Sequence, residues 1–245
     1  MIKNIDINVD LGEGFGIEPF IFPFISSANV ACGGHAGNAL IMQDVISLAR
    51  EYNVRIGAHP GFEDKENFGR LVLDIPMTKL KKSVTNQIQS LVLVSKLNMV
   101  KVSYVKAHGA LYHLVCNDDK YARMMLEIIK LNFPYLKIMG LPNCVLKDLS
   151  ENNNIGYIAE GFADRVYEDD GSLRDRKLDG SVLKETIKSV EQVLNLVQNK
   201  VKTYSGNIIE LKVNSICFHG DQVESVKLIK SSIQELKSRG IEIRS

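Results

Sequence analysis

The five histidines of the sequence are the first residues whose positions suggest chemistry. Histidine exchanges a proton near neutral pH and also binds metal ions. Four of the five directly follow apolar stretches that resemble β-strands, namely His35, His59, His108 and His219, and His113 follows His108 by five residues. Any single one could be a hydrogen-bonded structural residue, but a set placed at successive strand ends predicts a shared site.

Two carboxylates and one lysine occupy comparable positions. Asp10 and Glu13 close the first apolar stretch, where such a pair can act as general base, metal ligand or electrostatic anchor. A simple loop charge is the alternative for Glu13. Lys106 lies two residues before His108, so the two side chains share a face of a strand. A buried lysine there requires an anion, either Asp10 or Glu13 in a salt bridge, or a substrate carboxylate or phosphate.

The same positions are suited to a divalent metal ion. Asp10 together with two strand-end histidines has the donor atoms of such a site, and we take His35 and His59 as the pair. Because these ligands come from separate strands, no fixed spacing in the sequence tests the assignment.

Further charged residues follow the sixth strand or lie in long polar loops. Arg70 and Arg176 lie in two such loops, and the planar guanidinium of arginine suits the capture of a carboxylate or phosphate. Asp164 and Arg165 follow the sixth strand and can pair with each other. Solvated loop arginines are the alternative, and Asp221 can be explained as a cap of the last helix.

These residues need strands and helices that bring them together. Alternating or apolar stretches predict seven strands, at 5–10, 28–32, 54–58, 103–107, 135–139, 155–159 and 215–218. Helical spacing of apolar residues predicts helices at 39–51, 78–97, 118–132, 181–199 and up to 238, with a hairpin within 200–212 and long loops at 62–76 and 166–180. Strands alternating with helices indicate a parallel sheet with right-handed crossovers.

Either a doubly wound sheet or a barrel satisfies this order. Polar residues end nearly every strand rather than one switch point, and no break in composition marks a second domain. We therefore expect one α/β domain over residues 1–245, a seven-stranded parallel β/α barrel with its chemistry on the loops after the strands. In the first strand Asp6, Asn8 and Asp10 share one face, which we expect to look into the barrel.

The composition argues against several classes of protein. The 30 Lys and Arg residues balance 29 Asp and Glu residues, so we expect no nucleic-acid partner and no membrane surface. Acidic residues interrupt the N-terminal stretch, which does not fit a signal peptide, and no apolar run approaches transmembrane length. The four cysteines form no C-x-x-C pair, which predicts reduced thiols in a cytoplasmic protein.

Several segments taken together resemble the LamB/YcsF family, whose members form part of 5-oxoprolinase. The segments are VDLGEGFG at 9–16, ANVACGGHAG at 28–37, IGAHPG at 56–61, KAHGALY at 106–112, FADR at 162–165 and CFHGD at 217–221, together with Asp170, Gly171 and Arg176. The resemblance extends from about residue 4 to the end of the sequence, with the segments in the same order.

The resemblance implies a barrel like that of glycoside hydrolases and polysaccharide deacetylases. It also implies ATP-dependent hydrolytic opening of 5-oxo-L-proline to L-glutamate, with release of ADP and phosphate. The work would be done in a complex with two other 5-oxoprolinase subunits, B and C. ATP, with Mg²⁺, would phosphorylate the lactam oxygen and so open the carbon to attack by water.

Roles follow for the residues singled out above. A catalytic role is expected for Asp10, Glu13, His35, His59, Lys106 and His108. Binding of substrate or phosphate is expected for Asn29, Arg70, Asp164, Arg165, Arg176, His219 and Asp221. Two alternatives are a metal-dependent amide or carbohydrate hydrolase of the deacetylase kind that works without ATP, and a non-catalytic subunit that binds substrate for its partners.

The sequence departs from the family pattern around the expected site. Gly34 stands where the family often has Phe, and His113 where it often has Asn. The loss of a large side chain at Gly34 predicts a mouth of the barrel that is more open than in relatives.

Overall fold

Seven strands among the described residues, 4–219 and 223–245, form a closed parallel barrel in this computed structural model. The strands are β1 (Asn4–Leu11), β2 (Ser27–Ala31), β3 (Arg55–His59), β4 (Val102–Lys106), β5 (Lys137–Gly140), β6 (Tyr157–Phe162), β7 (Lys200–Lys202), β8 (Ile208–Glu210), β9 (Ser215–Phe218) and β10 (Glu242–Ile243). The barrel runs β1 to β6 and then β9, which pairs back onto β1. β7 and β8 form an antiparallel hairpin, and β10 lies beside β1. The predicted seven-stranded barrel is confirmed.

Alternate residues of the strands point into the barrel, and many of them are polar. Low in the barrel, the Asp6 carboxylate accepts hydrogen bonds from Ser215 Oγ at 2.5 Å and Arg55 Nη2 at 2.7 Å. One layer higher, Asn29 Nδ2 donates to Asn8 Oδ1 at 2.8 Å. A buried polar group is costly unless it is hydrogen-bonded, so these bonds are what allow the polar face of β1 to lie inside.

Eight helices of the described residues surround the barrel and bury the outward-facing apolar side chains of the strands. They are α1 (Glu18–Ile21), α2 (Ala39–Tyr52), α3 (Met77–Leu97), α4 (Gly109–Asn117), α5 (Asp119–Asn132), α6 (Val145–Asn152), α7 (Thr186–Leu196) and α8 (Val223–Ser238). Ile7 and Val9 of β1 are fully buried in the core between strands and helices. None of the described helices combines the length and the apolar character that crossing a bilayer requires.

Two predicted helices differ from the observed ones. The prediction of one helix at 118–132 missed α4, which begins at Gly109 directly after a strand-end histidine. The helix predicted over 181–199 covers only Thr186–Leu196. The residues before it are bound to the loop after β6, because Val182 pairs with Arg165 and Leu183 N donates to Asp164 O at 2.8 Å.

Candidate functional site

A cavity of about 510 Å³ opens where the barrel strands end. Parallel barrels place their functional residues at this end. Its charged and imidazole lining comprises Asp10, Glu13, His59, Arg70, Lys106, His108, His113, Arg165, Asp175, Arg176, Lys177 and His219, and its apolar wall includes Phe68, Leu71, Leu173 and Phe162. Most of the residues predicted from strand ends therefore share one cavity.

Lys106 forms the charged floor of this cavity. Its Nζ lies 3.0 Å from Asp10 Oδ1, 3.0 Å from Glu160 Oε2 and 3.1 Å from Cys217 Sγ, and the side chain is 2% exposed. The contact with Asp10 is one of the two that the sequence predicted for a buried lysine. A buried lysine is stable only when its charge is compensated, and here two carboxylates from β1 and β6 compensate it.

The floor is held in its charged form. Burial alone would raise the pKa of Asp10, but His59 and Lys106 hold that pKa well below its ordinary value. Burial would lower the pKa of Lys106, but Asp10, Cys217 and Glu160 raise it well above the ordinary value. An ionised Asp10 carboxylate therefore lies at the bottom of the cavity, ready to accept a proton or a hydrogen bond.

One side of the cavity, the histidine wall, consists of Glu13, His35, His59 and His108. One donor atom from each of these residues lies within 4.8 Å of the others. His35 and His108 stack face to face, with ring centroids 3.6 Å apart. Glu13 Oε1 lies 3.2 Å from His35 Nε2 and 3.5 Å from His108 Nδ1. This donor set is suited to a metal ion, as the sequence suggested for this end of the barrel.

Backbone carbonyls fix two of these rings. His59 Nδ1 donates to Lys106 O at 2.8 Å, and His108 Nε2 donates to Phe68 O at 2.8 Å. Phe68 has the left-handed backbone angle φ of 55°, which is rare for a residue other than glycine. That local strain places the Phe68 carbonyl on His108.

The imidazoles of this wall are held neutral. Burial, His108 and His59 lower the pKa of His35 far below its ordinary value. Burial and His59 likewise hold the pKa of His108 well below its ordinary value. Neutral rings present lone pairs, so this wall is suited to accepting a proton or binding a cation.

The opposite type of chemistry occurs on the arginine wall, formed by Arg165, Arg176 and His219. Asp164 accepts a hydrogen bond from His219 Nδ1 at 2.8 Å, and His219 Nε2 accepts from Arg176 Nη2 at 2.7 Å. Asp164 thus selects the His219 tautomer whose free nitrogen holds the guanidinium. Burial would raise the pKa of Asp164, but His219 lowers it below its ordinary value.

Arg165 is held by main-chain oxygens of the loop that follows β6. Its Nη2 donates to Arg174 O at 2.6 Å and its Nε to Ser181 O at 3.3 Å. Burial and the nearby Arg176 lower the pKa of Arg165 to about 10. Two guanidinium groups close together, neither neutralised by a carboxylate bridge to the other, form a site with a preference for anions.

Four predicted site residues lie off the cavity surface. Asn29 is fully buried below Asp10, to which its Nδ2 donates at 2.7 Å, so it positions Asp10 instead of contacting a ligand. His35 lies behind His108, and Asp164 lies behind His219. Asp221, including its predicted role as a helix cap, falls outside the described residues.

The predicted metal set of Asp10, His35 and His59 is distributed differently. Asp10 Oδ2 is 3.5 Å from His59 Nε2, but Asp10 Oδ1 is engaged by Lys106 and Asn29. The compact group of donors instead adds Glu13 and His108 to the two histidines.

Sequence reasoning missed Glu160, which is fully buried against Lys106. A signal existed, because the two-residue alternation along β6 places Glu160 on the same inward face as Ile158 and Phe162. The predicted strand ended at 159, one residue too early to include it.

The open mouth predicted at Gly34 is not observed, because Gln87 fills the space. A Cβ atom on Gly34 would overlap the side-chain amide of Gln87. Gln87 in turn clamps Gly61, whose N donates to Gln87 Oε1 at 3.0 Å and whose O accepts from Gln87 Nε2 at 2.8 Å. We call this arrangement the Gln87 clamp; it fixes the loop directly after His59.

Comparisons with known proteins agree with this barrel and this site. A protein from Haemophilus influenzae strain PittGG, named as the A subunit of 5-oxoprolinase, is 37% identical over 243 residues, covering 99% of each chain. One of the same name from Histophilus somni strain 129Pt is 39% identical, covering 100% of this chain and 99% of the relative.

A solved structure agrees over nearly the whole barrel. The lactam utilization protein from Thermus thermophilus superposes with a TM-score of 0.92 at 29% identity, covering 98% of this chain and 99% of that one. The LamB/YcsF family model matches residues 5–245. With its sequence and its fold both matched over nearly full length, the chain belongs to the LamB/YcsF family.

Proposed function

We propose that this protein is the A subunit of a 5-oxoprolinase and opens the lactam ring of 5-oxo-L-proline to L-glutamate, with ATP hydrolysed to ADP and phosphate. The observation that carries the proposal is one cavity with two kinds of wall. Lone pairs and an ionised carboxylate lie on one side of it, and guanidinium groups lie on the other. The names of the similar proteins support the same substrate class.

The arginine wall suits the carboxylate that 5-oxoproline carries. Arg176 is held by His219 through one of its Nη atoms, and Arg165 is held by main-chain carbonyls. Guanidinium N–H groups that face the cavity bind carboxylates in a planar, two-bond arrangement. A substrate anchored in this way would present its lactam carbonyl to the floor and to the histidine wall.

Asp10 is the residue we assign as general base. Its carboxylate is ionised, Lys106 and Asn29 fix its orientation, and its Oδ2 lies 3.5 Å from His59 Nε2. In the proposed step, the oxygen of water bonds to the lactam carbon and Asp10 accepts the water proton. The bond between that carbon and the ring nitrogen then breaks, and the proton passes to the nitrogen.

The cavity also fits the phosphates of ATP. Arg70, Arg165 and Arg176 all line it, and guanidinium groups are well suited to phosphate oxygens. When bound with Mg²⁺, ATP supplies a phosphoryl group that makes the resonance-stabilised lactam carbon a better electrophile. Lys106 would stabilise negative charge that develops at the lactam oxygen. Partner subunits B and C complete the proposed enzyme, as the subunit names of the relatives suggest.

The test is reconstitution of the activity. The purified chain, mixed with its two partner subunits, is supplied with 5-oxoproline and ATP, and the release of glutamate and ADP is measured. Replacing Asp10 with Asn keeps the shape but removes the base, so we expect glutamate formation to fall by about 100-fold or more.

The matched control is Asp44→Asn, because Asp44 is an exposed carboxylate on α2 and its loss should leave the rate unchanged. Absence of 5-oxoproline-dependent glutamate formation in the complete mixture would refute the proposal. Wild-type turnover by the Asp10→Asn variant would refute only the role of Asp10.

A second candidate function is favoured by the histidine wall. Its four donors within 4.8 Å suit metal-assisted hydrolysis of an amide without ATP. The two functions differ in one measurement, since only the second allows glutamate to form when ATP is omitted and is abolished by a chelator.

A further inference from the structure

Two buried imidazoles of the histidine wall present lone pairs to each other. A carbonyl oxygen can only accept a hydrogen bond, so His59 Nδ1 and His108 Nε2, each 2.8 Å from a carbonyl, must carry the ring protons. In the neutral rings, His59 Nε2 and His108 Nδ1 are then both acceptors. These two nitrogens are 3.0 Å apart.

Two acceptors at that distance repel each other unless a positive charge lies between them. The surroundings increase the need for one, because Asp10 Oδ2 lies 3.5 Å from His59 Nε2 and Glu13 Oε1 lies 3.5 Å from His108 Nδ1. The charge can be a proton that converts one ring to imidazolium, or a metal ion bound by both nitrogens. Two nitrogens 3.0 Å apart can both reach one ion at a bond length of about 2.1 Å.

The stacking of His35 on His108 decides which histidines can share an ion. Their planes differ by only 3° and their centroids are 3.6 Å apart. A ligand nitrogen binds a metal in the plane of its ring, so an ion in the plane of His108 lies well outside the plane of His35. His35 is also absent from the cavity lining, whereas Glu13, His59 and His108 belong to it.

We propose that Glu13, His59 Nε2 and His108 Nδ1 bind one divalent transition-metal ion, such as Zn²⁺, at the edge of the cavity. His35 is a positioning residue, whose Nε2 lies 3.2 Å from Glu13 Oε1 and orients that carboxylate. Lys106 O and Phe68 O are the outer partners that fix the ligand tautomers, as in known metal sites. Imidazole donors favour this class of ion over Mg²⁺ or Ca²⁺.

The ion would face the cavity, where it can polarise a carbonyl oxygen or lower the pKa of a bound water. Binding of the ion does not depend on the proposed lactam substrate or on ATP. The experiment therefore measures the metal directly, on the full chain and without any substrate.

The chain is first treated with a chelator and then titrated with Zn²⁺ or Co²⁺, with Mg²⁺ in a parallel titration. We expect one Zn²⁺ per chain, visible absorption bands on Co²⁺ binding, and no comparable affinity for Mg²⁺. Replacing His59 or His108 with Ala should weaken Zn²⁺ binding by more than about 100-fold, beyond the effect typical of outer-shell partners. His113→Ala is the matched control, since His113 lies at the same cavity but outside the cluster.

Nitrogen NMR of the wild-type imidazoles keeps the test valid if a variant fails to fold. Zn²⁺ should shift the signals of His59 Nε2 and His108 Nδ1 while both N–H signals remain. Failure of Zn²⁺ to bind or to shift these signals would overturn the inference and leave an imidazolium as the charge between the rings. Equal affinity for Mg²⁺, or unchanged Zn²⁺ binding by His59→Ala and His108→Ala, would overturn it as well.

Discussion

The histidine wall and the arginine wall line the same cavity, yet different parts of the chain hold their side chains. His59 and His108 lie at strand ends, are buried, and are fixed by carbonyls of neighbouring backbone. Arg165 and Arg176 lie in or beside the loop after β6 and are held by loop carbonyls and by one histidine. The first wall is part of the barrel, whereas the second is attached to it.

This difference predicts that the two walls respond differently to substitution. Damage to the histidine wall or to the floor beneath it removes contacts of the folded barrel, so it should lower stability together with activity. Damage to the arginine wall should lower affinity for an anionic substrate and leave the fold intact. The following substitutions test that division, from the largest expected effect to the smallest.

Replacement of Lys106 with Met removes the cation shared by Asp10 and Glu160. Two buried carboxylates would then lack their counter-charge, and we expect a loss of about 3–5 kcal/mol in the free energy of unfolding. Urea denaturation followed by circular dichroism measures it. Lys101→Met is the control, because Lys101 is exposed and precedes the first residue of β4. Equal stability of the two variants would contradict a floor built on charge.

Replacement of Arg176 with Met tests the arginine wall. We expect KM for 5-oxoproline to rise by about 10- to 100-fold, the value of a hydrogen bond to a charged group, with an unchanged melting temperature. Steady-state kinetics of the complete enzyme and a thermal melt give the two numbers. Arg123→Met, at an exposed ion pair on α5, should change neither. A lowered melting temperature with an unchanged KM would mean that Arg176 serves the fold.

The Gln87 clamp offers a test of the rigid side. In Gly34→Phe the new side chain must displace Gln87, and overpacking of this kind costs about 1–3 kcal/mol. Combining it with Gln87→Ala should recover part of that loss, since the smaller residue frees the space. A double-mutant cycle by denaturation measures the coupling. Additive losses would show that the two positions do not compete for one space.

Cys144 lies outside both walls and should have the smallest effect. Hydrogen bonds from Cys116, Tyr157 and the backbone at the start of α6 lower the pKa of Cys144 to about 7, although burial opposes them. The thiolate is the reactive form, so alkylation by iodoacetamide should be slow below pH 7 and level off above it. Mass spectrometry of the modified peptide follows the rate. Cys116→Ala, which removes the first of these bonds, should move the profile to higher pH.

The sequence predicted the barrel because each strand carries its own local pattern. The alternation in 5–10 placed Asp6, Asn8 and Asp10 on one face, and the structure shows that face inside. Strand-end positions likewise predicted most residues of the cavity, including His59, His108 and His219.

The partners of these residues could not be predicted in the same way. Lys106, Asp10 and Glu160 meet from three strands that are far apart in the sequence, and no spacing encodes such a meeting. The same limit applies to the choice between lone pair and proton on each imidazole, which depends on the carbonyls of residues 68 and 106.

The closure of the barrel has a consequence for the order of folding. β1 is made first, but it pairs on one side with β9, where Asp6 lies opposite Ser215 more than two hundred residues later. Contacts of such long range form slowly, because the whole intervening chain must be ordered first. During synthesis, Asp10 can be placed in its final position only after β9 has left the ribosome. The floor of the cavity is therefore among the last parts of the molecule to assemble, and an incomplete chain cannot display a finished site.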